Sequence, residues 1–290
     1  MKFTITHTKS STQIPSGSGI VKSGHNYYVI GDDSPFLFTL NEQLEVISKT
    51  LIISSEGIVG NRIPKPIKPD FESIEIIEEK ELVVFGSGSK SPHRDVLIHI
   101  LVEGPMVITQ YSLTAFYAEL RRLPELQDSE LNIEASAFHS NQLYLFNRNK
   151  NVIFKFDYCA FSAYIRGEGS FPKPEIKQFT LPEINGIEAG FSGATILKSQ
   201  AKIIFTASVE DTDNAYDDGE ILGSIIGMID VSNDTIADSY SACLIPNGTE
   251  NYKVESITIE EEISSETVKV VMITDDDKGN SILLKGLLSW

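Results

Sequence analysis

Four glutamates stand in the same local setting. Glu72 in "DFESIEII" (70–77), Glu134 in "LNIEASAF" (131–138), Glu188 in "INGIEAGFSG" (184–193) and Glu255 in "YKVESITI" (252–259) each precede a small residue. Their separations are 62, 54 and 67 residues, and counting back 54 from Glu72 reaches Ser18 in "SGSGIV", where a small polar residue and a glycine precede β-branched ones. If the five positions converge, their carboxylates cannot all stay ionised unaided. At ~4 Å each pair repels by roughly 1–4 kcal/mol, so either some take up protons or a cation sits among them. A ring of hard oxygen ligands suits Ca²⁺, which takes about six to eight oxygens, better than zinc, which favours nitrogen and sulfur. Mg²⁺ is the other hard ion, and it usually keeps several waters. The structural alternative is that these acids accept hydrogen bonds from backbone N–H groups between repeated units.

The elements that must position them repeat in the same order. About 8–14 residues after each marked position comes an apolar run: "NYYVIG", "ELVVFG", "QLYLFN", "KIIFTA" and "VKVVMIT". A polar turn follows, then a third run ("FLFTL", "VLIHIL", "VIFKFD", "IIGMID", "SILLK") and a fourth ("LEVISKTLII", "MVITQY", "EIKQFTL", "TIADSYSACL"). β-Branched and aromatic residues bounded by Gly, Asn, Asp and Ser read as strands. The fifth unit ends after its third strand, and the alternating "KFTITH" at the N-terminus can supply the fourth by pairing residues 2–7 with the strand near Ser281–Lys285. Such closure leaves no open edge. Residues 1–290 therefore read as an all-β chain forming a single five-bladed β-propeller domain, with six shorter blades as the alternative. One segment interrupts the pattern: "SLTAFYAELRRLPEL" (112–126) is helical in composition, with Ser112 as N-cap and Pro124 as terminator. It either fills a long loop or partly covers the tunnel mouth.

The turns after the second strands should share a face with the marked acids. They carry Asp32, Asp33, Ser87, Ser89, Lys90, Arg94, Asn147, Arg148, Glu210, Asp211, Asp275 and Asp276. Arg94 and Arg148 there are candidates for forking onto a phosphate or carboxylate, although turns are polar in any case. Several other motifs carry nothing. "GSGSKS" (86–91) lacks the glycine before lysine and the following helix of a phosphate loop. "GFSGA" is not a nucleophile elbow. "DTDNAYDDGE" (211–220) has Tyr216 where a calcium loop needs glycine. The five histidines show no metal spacing.

Bulk properties bound the partners. The 290 residues carry 24 basic and 41 acidic side chains, a net charge of −17. That surface repels nucleic acid and anionic membranes and attracts cations or basic partners. Cys159 and Cys243 form no metal spacing and read as buried free thiols. No apolar run has the length of a membrane span or a signal peptide, so the expectation is a cytoplasmic monomer, and the sequons at Asn233 and Asn247 read as polar turns.

The spaced "NIEASAF…LYLFNR" and "GIEAG" elements resemble an uncharacterised family of bacterial propellers. More distantly they are similar to esterase-like phytase propellers and to calcium-activated nucleotidases (apyrases). The latter resemblance implies five blades and Ca²⁺ held at the tunnel by Ser18, Glu72, Glu134, Glu188 and Glu255. Two functions of different classes follow: a metal-dependent hydrolase of a phosphoester, ester or lactone, in which the cation polarises an oxygen or positions a water, or a non-catalytic propeller that binds a ligand or protein partner. Fold alone does not decide between them.

Overall fold

The apolar runs are strands that no single sheet can bury alone. In the computed structural model, which describes residues 1–211, 219–232, 235–248, 251–275 and 279–290, they form five four-stranded antiparallel sheets. Blade 1 comprises Gly17–Ser23, Asn26–Gly31, Phe36–Leu40 and Val46–Leu51. Blade 2 comprises Phe71–Ile77, Glu81–Gly86, Val96–Leu101 and Val107–Ser112. Blade 3 comprises Ile133–His139, Gln142–Asn147, Val152–Asp157 and Glu175–Gln178. Blade 4 comprises Gly190–Leu197, Lys202–Asp211, Glu220–Ser232 and Thr235–Leu244. Blade 5 comprises Lys253–Ser264, Thr267–Asp275 and Ser281–Ser289, with the N-terminal Lys2–Ser11 as its outer strand. The chain is a five-bladed β-propeller. The sequon at Asn233, Asp276 and most of 211–220 lie outside the described residues.

Burial follows from position in the blade. The second strands read as unbroken apolar runs because they are covered on both faces, whereas the outer strands Val46–Leu51 and Val107–Ser112 are largely exposed. Five hydrophobic clusters fill the five seams between neighbouring blades. The seam between blades 5 and 1 is built like the others, from Ile20, Tyr27, Val29 and Phe38 against Val271, Ile273 and Leu283. Chain closure is therefore a packing event as well as a hydrogen-bonding one. Tyr27 also donates to Glu260 at 2.9 Å across this seam, and Lys285 pairs with the same carboxylate at 2.5 Å.

The closing strand is antiparallel as expected, but longer and differently placed. Lys2 lies opposite Ser289 and Ser11 opposite Ser281, with a bulge between Ile5 and His7. Residues 2–7 thus face 285–289, not 281–285. The extra pairs come from residues 8–11, whose polar side chains hide the strand signal in the sequence.

The helix expected over 112–126 is shorter. It runs Thr114–Leu120 and is followed by a 3₁₀ turn at Pro124–Leu126. Leu113 occupies the N-cap position, and Ser112 accepts the Thr114 amide at 3.3 Å. Phe116, Tyr117 and Leu120 are buried in the seam of blades 2 and 3. A second helix, Tyr158–Ile165, joins the last two strands of blade 3, with Asp157 capping it by accepting from the Ala160 amide at 2.8 Å. Both cysteines are free, but neither is buried: Cys159 is exposed on that helix and Cys243 is half-buried on an outer strand. Among the described residues no helix is long and apolar enough to cross a membrane.

The closure makes a stability prediction. Phe3 is buried in the seam of blades 4 and 5, so Phe3→Ala should cost about 3 kcal/mol, roughly 6–12 °C in Tm. Deleting residues 1–9 should cost more. A truncated chain that melts with the full-length protein would show that closure does not depend on this strand.

Candidate functional site

One irregularity recurs in every inner strand. The ladder to the second strand slips by one residue between Gly17 and Gly19, Phe71 and Ser73, Ile133 and Ala135, Phe191 and Gly193, and Val254 and Ser256. A bulge leaves its extra residue outside the ladder and re-aims its side chain. The five extra residues are Ser18, Glu72, Glu134, Ser192 and Glu255. Four of the five expected positions are thus equivalent, and the fourth blade uses Ser192 where Glu188 was expected.

Glu188 does not occupy a bulge. It ends a small hairpin, Glu183–Ile184 with Ile187–Glu188, ahead of the inner strand. It is exposed, and its carboxylate accepts from the Leu181 amide at 2.8 Å and from Asn151 at 3.0 Å. It ties blade 3 to blade 4, which is the connector role foreseen as the structural alternative. The sequence did hold the correct signal. "FSG" (191–193) has the form of "GSG" (17–19), and Ser192 lies 58 residues after Glu134 and 63 before Glu255, a more even spacing than Glu188 allows.

The two serines turn their hydroxyls to the next blade. Ser18 donates to the carbonyl of Phe71, and Ser192 donates to the carbonyl of Val254 at 2.6 Å. Each thereby pins the residue directly before the next bulge glutamate. The three glutamates line a cavity of about 710 Å³ at the tunnel mouth, and Ser18 and Glu188 also border it.

Residues two places before each bulge fall on the same strand face and line the same cavity: Ser16, Asp70, Asn132, Gly190 and Lys253. They set the state of each glutamate. Glu255 pairs with Lys253 at 3.3 Å. Glu134 accepts from the neutral amide of Asn132 at 2.6 Å. Glu72 has Asp70 as that neighbour and accepts no hydrogen bond among the described residues. Burial raises all three carboxyls. Glu72 is pushed well above the ordinary range by burial and then by Asp70, Glu134 and Asp32. Glu134 rises to about 8 through burial, with Arg148 opposing and Glu255 adding. Glu255 also rises through burial, against the pull of Lys253 and Arg148.

Cations from the turns complete the mouth. Arg148 follows the second strand of blade 3 and donates to Ser208 at 3.0 Å and to Glu210 at 3.3 Å, with Glu134 at 3.9 Å. Its stem crosses Gly190, where an added Cβ would stand 2.6 Å from Arg148 Cγ. Lys253 joins Glu210 at 2.9 Å. Burial works against an ionised Glu210, but Arg148 and Lys253 hold its carboxyl below the usual value. On the side of blades 1 and 2, Arg94 is buried and donates to Asp70 at 2.5 Å and to Ser89 at 2.7 Å. Lys68, which no sequence motif marks, bridges Asp32 and Asp70, the latter at 2.7 Å. Burial favours a charged Asp70 no more than it does Glu210, yet Lys68 and Arg94 draw it below the ordinary range.

Arg94 and Arg148 are therefore at the mouth, as expected, but both are engaged with internal carboxylates. The helix Thr114–Leu120 does not line the cavity. Asp128, Ser129 and Glu130, which follow it, do. In total eleven carboxylates and seven lysine or arginine side chains line the space, a formal excess of four negative charges.

Comparison with known proteins places this architecture. Residues 13–288 match the model of the "Family of unknown function (DUF6929)", so the chain belongs to that family. Its fold is similar to that of glutaminyl cyclase from Myxococcus xanthus, with a TM-score of 0.53 and 9% identity over 99% of this chain and 97% of that one. Virginiamycin B lyase from Staphylococcus aureus also aligns, with a TM-score of 0.43 and 12% identity over 100% of both chains. These likenesses concern the fold. No curated protein matches by sequence.

Glu134 gives a pH prediction. Its folded-state pKa lies above the ordinary value, so it adds stability below about pH 4.5 that is lost as pH rises through about 8. Asp70 and Glu210, held low, titrate beneath that window. The wild-type Tm should fall between about pH 5 and 8, and Glu134→Gln should flatten that fall, gaining about 2–4 °C at pH 8 for each kcal/mol of relieved repulsion. Equal slopes for the two proteins in a buffered melting series would refute the assignment.

Proposed function

We infer that the tunnel mouth binds a small organic cation bearing a primary ammonium or a guanidinium group. The observation that carries this reading is Glu72, an axial carboxyl without a hydrogen-bond partner among the described residues, set between Asp70, Glu134 and Asp32. The formal excess of four carboxylates around it supports the same sign of ligand. Donation of an ammonium to Glu72 would satisfy its oxygens and favour their ionised form.

The anion reading for Arg94 and Arg148 is weaker, because Asp70, Glu134 and Glu210 already neutralise them. We read both arginines as fixed counter-ions that shape the site. A Ca²⁺ ring of Ser18, Glu72, Glu134, Glu188 and Glu255, as the resemblance to nucleotidases implies, has against it the internal partners of four of the five side chains.

A second reading, hydrolysis, has one specific support. Glu134 holds its proton at neutral pH while Glu210, across Arg148, stays ionised. Two carboxyls with separated pKa values are what an acid and a base require.

Titration calorimetry with agmatine, cadaverine and spermidine tests the first reading, with phosphate and citrate as controls at matched ionic strength. Wild type should bind one or more of the amines, and Glu72→Gln should lose at least about tenfold in affinity, as expected for a charge-assisted hydrogen bond. Binding of citrate or phosphate alone, lost in Arg148→Ala, would replace the cation by an anion.

A further inference from the structure

Each blade places the residue two positions before its bulge at the cavity, and four of the five carry a side chain there: Ser16, Asp70, Asn132 and Lys253. Blade 4 has Gly190. Its φ lies outside the left-handed region, so its backbone does not require glycine. What the position requires is space. A Cβ at residue 190 would stand 2.6 Å from Arg148 Cγ, 3.2 Å from Nε and 3.4 Å from Cδ. Carbon atoms in contact prefer about 3.5–4.0 Å, and the closest approach falls on the stem of the arginine, not on its tip.

A backbone shift that relieved this clash would break hydrogen bonds on both partners. The Arg148 amide donates to the Asn132 carbonyl at 2.9 Å. The buried Asn151 side chain, from the same turn as Arg148, grips the strand on either side of Gly190. Its Nδ2 donates to the Ala189 carbonyl at 2.9 Å, and its Oδ1 accepts the Phe191 amide at 3.0 Å. Gly190 itself lies opposite Ser208 in the ladder. The Arg148 stem therefore crosses the bare backbone of the inner strand and reaches side chains of the second strand, Ser208 at 3.0 Å and Glu210 at 3.3 Å. A methyl group at 190 would make the stem rotate away and give up both contacts. The released guanidinium would turn to the other carboxylates that already act on it, Glu134, Glu255 and Glu72.

We propose that Gly190 is a positioning residue for Arg148 and, through it, sets the charge of the ligand that the mouth accepts. The missing side chain lets the guanidinium lie along blade 4, so the space beside Glu72 and Glu134 is left for a cation from outside. A side chain at 190 turns Arg148 into a tethered competitor for that space. The effect on ligand charge rests on the organic-cation reading of the mouth, whereas the placement of Arg148 does not.

A double-mutant cycle tests this, with Gly190→Ala made in wild type and in Arg148→Ala. All four proteins are melted, and all are titrated with agmatine, cadaverine and spermidine by calorimetry. In the wild-type background Gly190→Ala should lower Tm by about 2–12 °C, as overpacking does, and weaken amine binding at least about tenfold. In the Arg148→Ala background no stem crosses residue 190. There Gly190→Ala should leave Tm unchanged or raise it by about 1–4 °C, because alanine restricts the unfolded chain more than glycine does, and it should cause no further change in amine affinity. If Arg148→Ala does not fold, Arg148→Ala/Glu210→Gln, which removes both charges of the pair, replaces it as background. An equal loss of Tm in the two backgrounds would give Gly190 a backbone role and overturn the proposal. So would wild-type amine affinity in Gly190→Ala. If wild type binds no amine, the organic-cation reading fails by itself, and the Tm cycle still decides whether Gly190 places Arg148.

Discussion

Carboxylates brought to one axis of a closed ring must be neutralised in place, and the tunnel mouth is organised around that constraint. A propeller repeats a strand start five times around a centre, so any acid at that position meets its own repeats. Mutual repulsion grows as water is excluded. This chain meets the constraint in three ways. Two of the five positions carry serine, whose hydroxyl turns away to the neighbouring blade. One glutamate has lysine two residues before it and another has asparagine. The surrounding turns add Lys68, Arg94 and Arg148. Among the described residues, Glu72 is left with neither an amide nor a cation in direct contact. It is therefore the axial group whose state an incoming molecule can change most.

The bulges give this arrangement its precision. A regular strand would direct alternate residues to opposite faces. One extra residue per inner strand lets the marked side chain reach the axis while the residues after it resume their pairing with the second strand. The serine hydroxyls then fix adjacent blades at the level of the bulge, and deeper along the tunnel Ser256 continues the linkage by accepting the Ile20 amide at 3.2 Å. The site is thus carried by strands of several blades, and its geometry depends on ring closure by a strand some 280 residues distant in sequence.

The architecture was legible because its signals are local and repeated. Each second strand is a continuous apolar run, and each turn carries Gly, Asp, Asn or Ser. What escaped were features that depend on spatial neighbours. Glu188 and Ser192 are four residues apart, and only the register of blade 4 decides which one occupies the bulge. Lys68 lies in a proline-rich connection with no periodic pattern, so nothing local marks it as an axial cation. Helix Tyr158–Ile165 did have a signal, Asp157 as a cap with apolar residues at Phe161 and Ile165, but it is only eight residues long. The engagement of Arg94 and Arg148 was equally hidden, because their partners Asp70 and Glu210 are 24 and 62 residues away in the sequence.

The two sides of the mouth differ in a way that bears on what it can hold. On the side of blades 1 and 2, Lys68 and Arg94 converge on Asp70, so that carboxylate is saturated and rigid. On the side of blades 3, 4 and 5, Arg148 and Lys253 share Glu134, Glu210 and Glu255, so two cations serve three acids. Glu72 lies between the two networks and feels both Asp70 and Glu134. Burial raises the carboxyls of both Glu72 and Glu134 there. A ligand that brought a fixed cation to this gap would meet Asp70, Glu134, Glu210 and Glu255 already paired by side chains of the blades and their turns. Pre-organisation of that kind keeps the cost of ordering side chains on binding small.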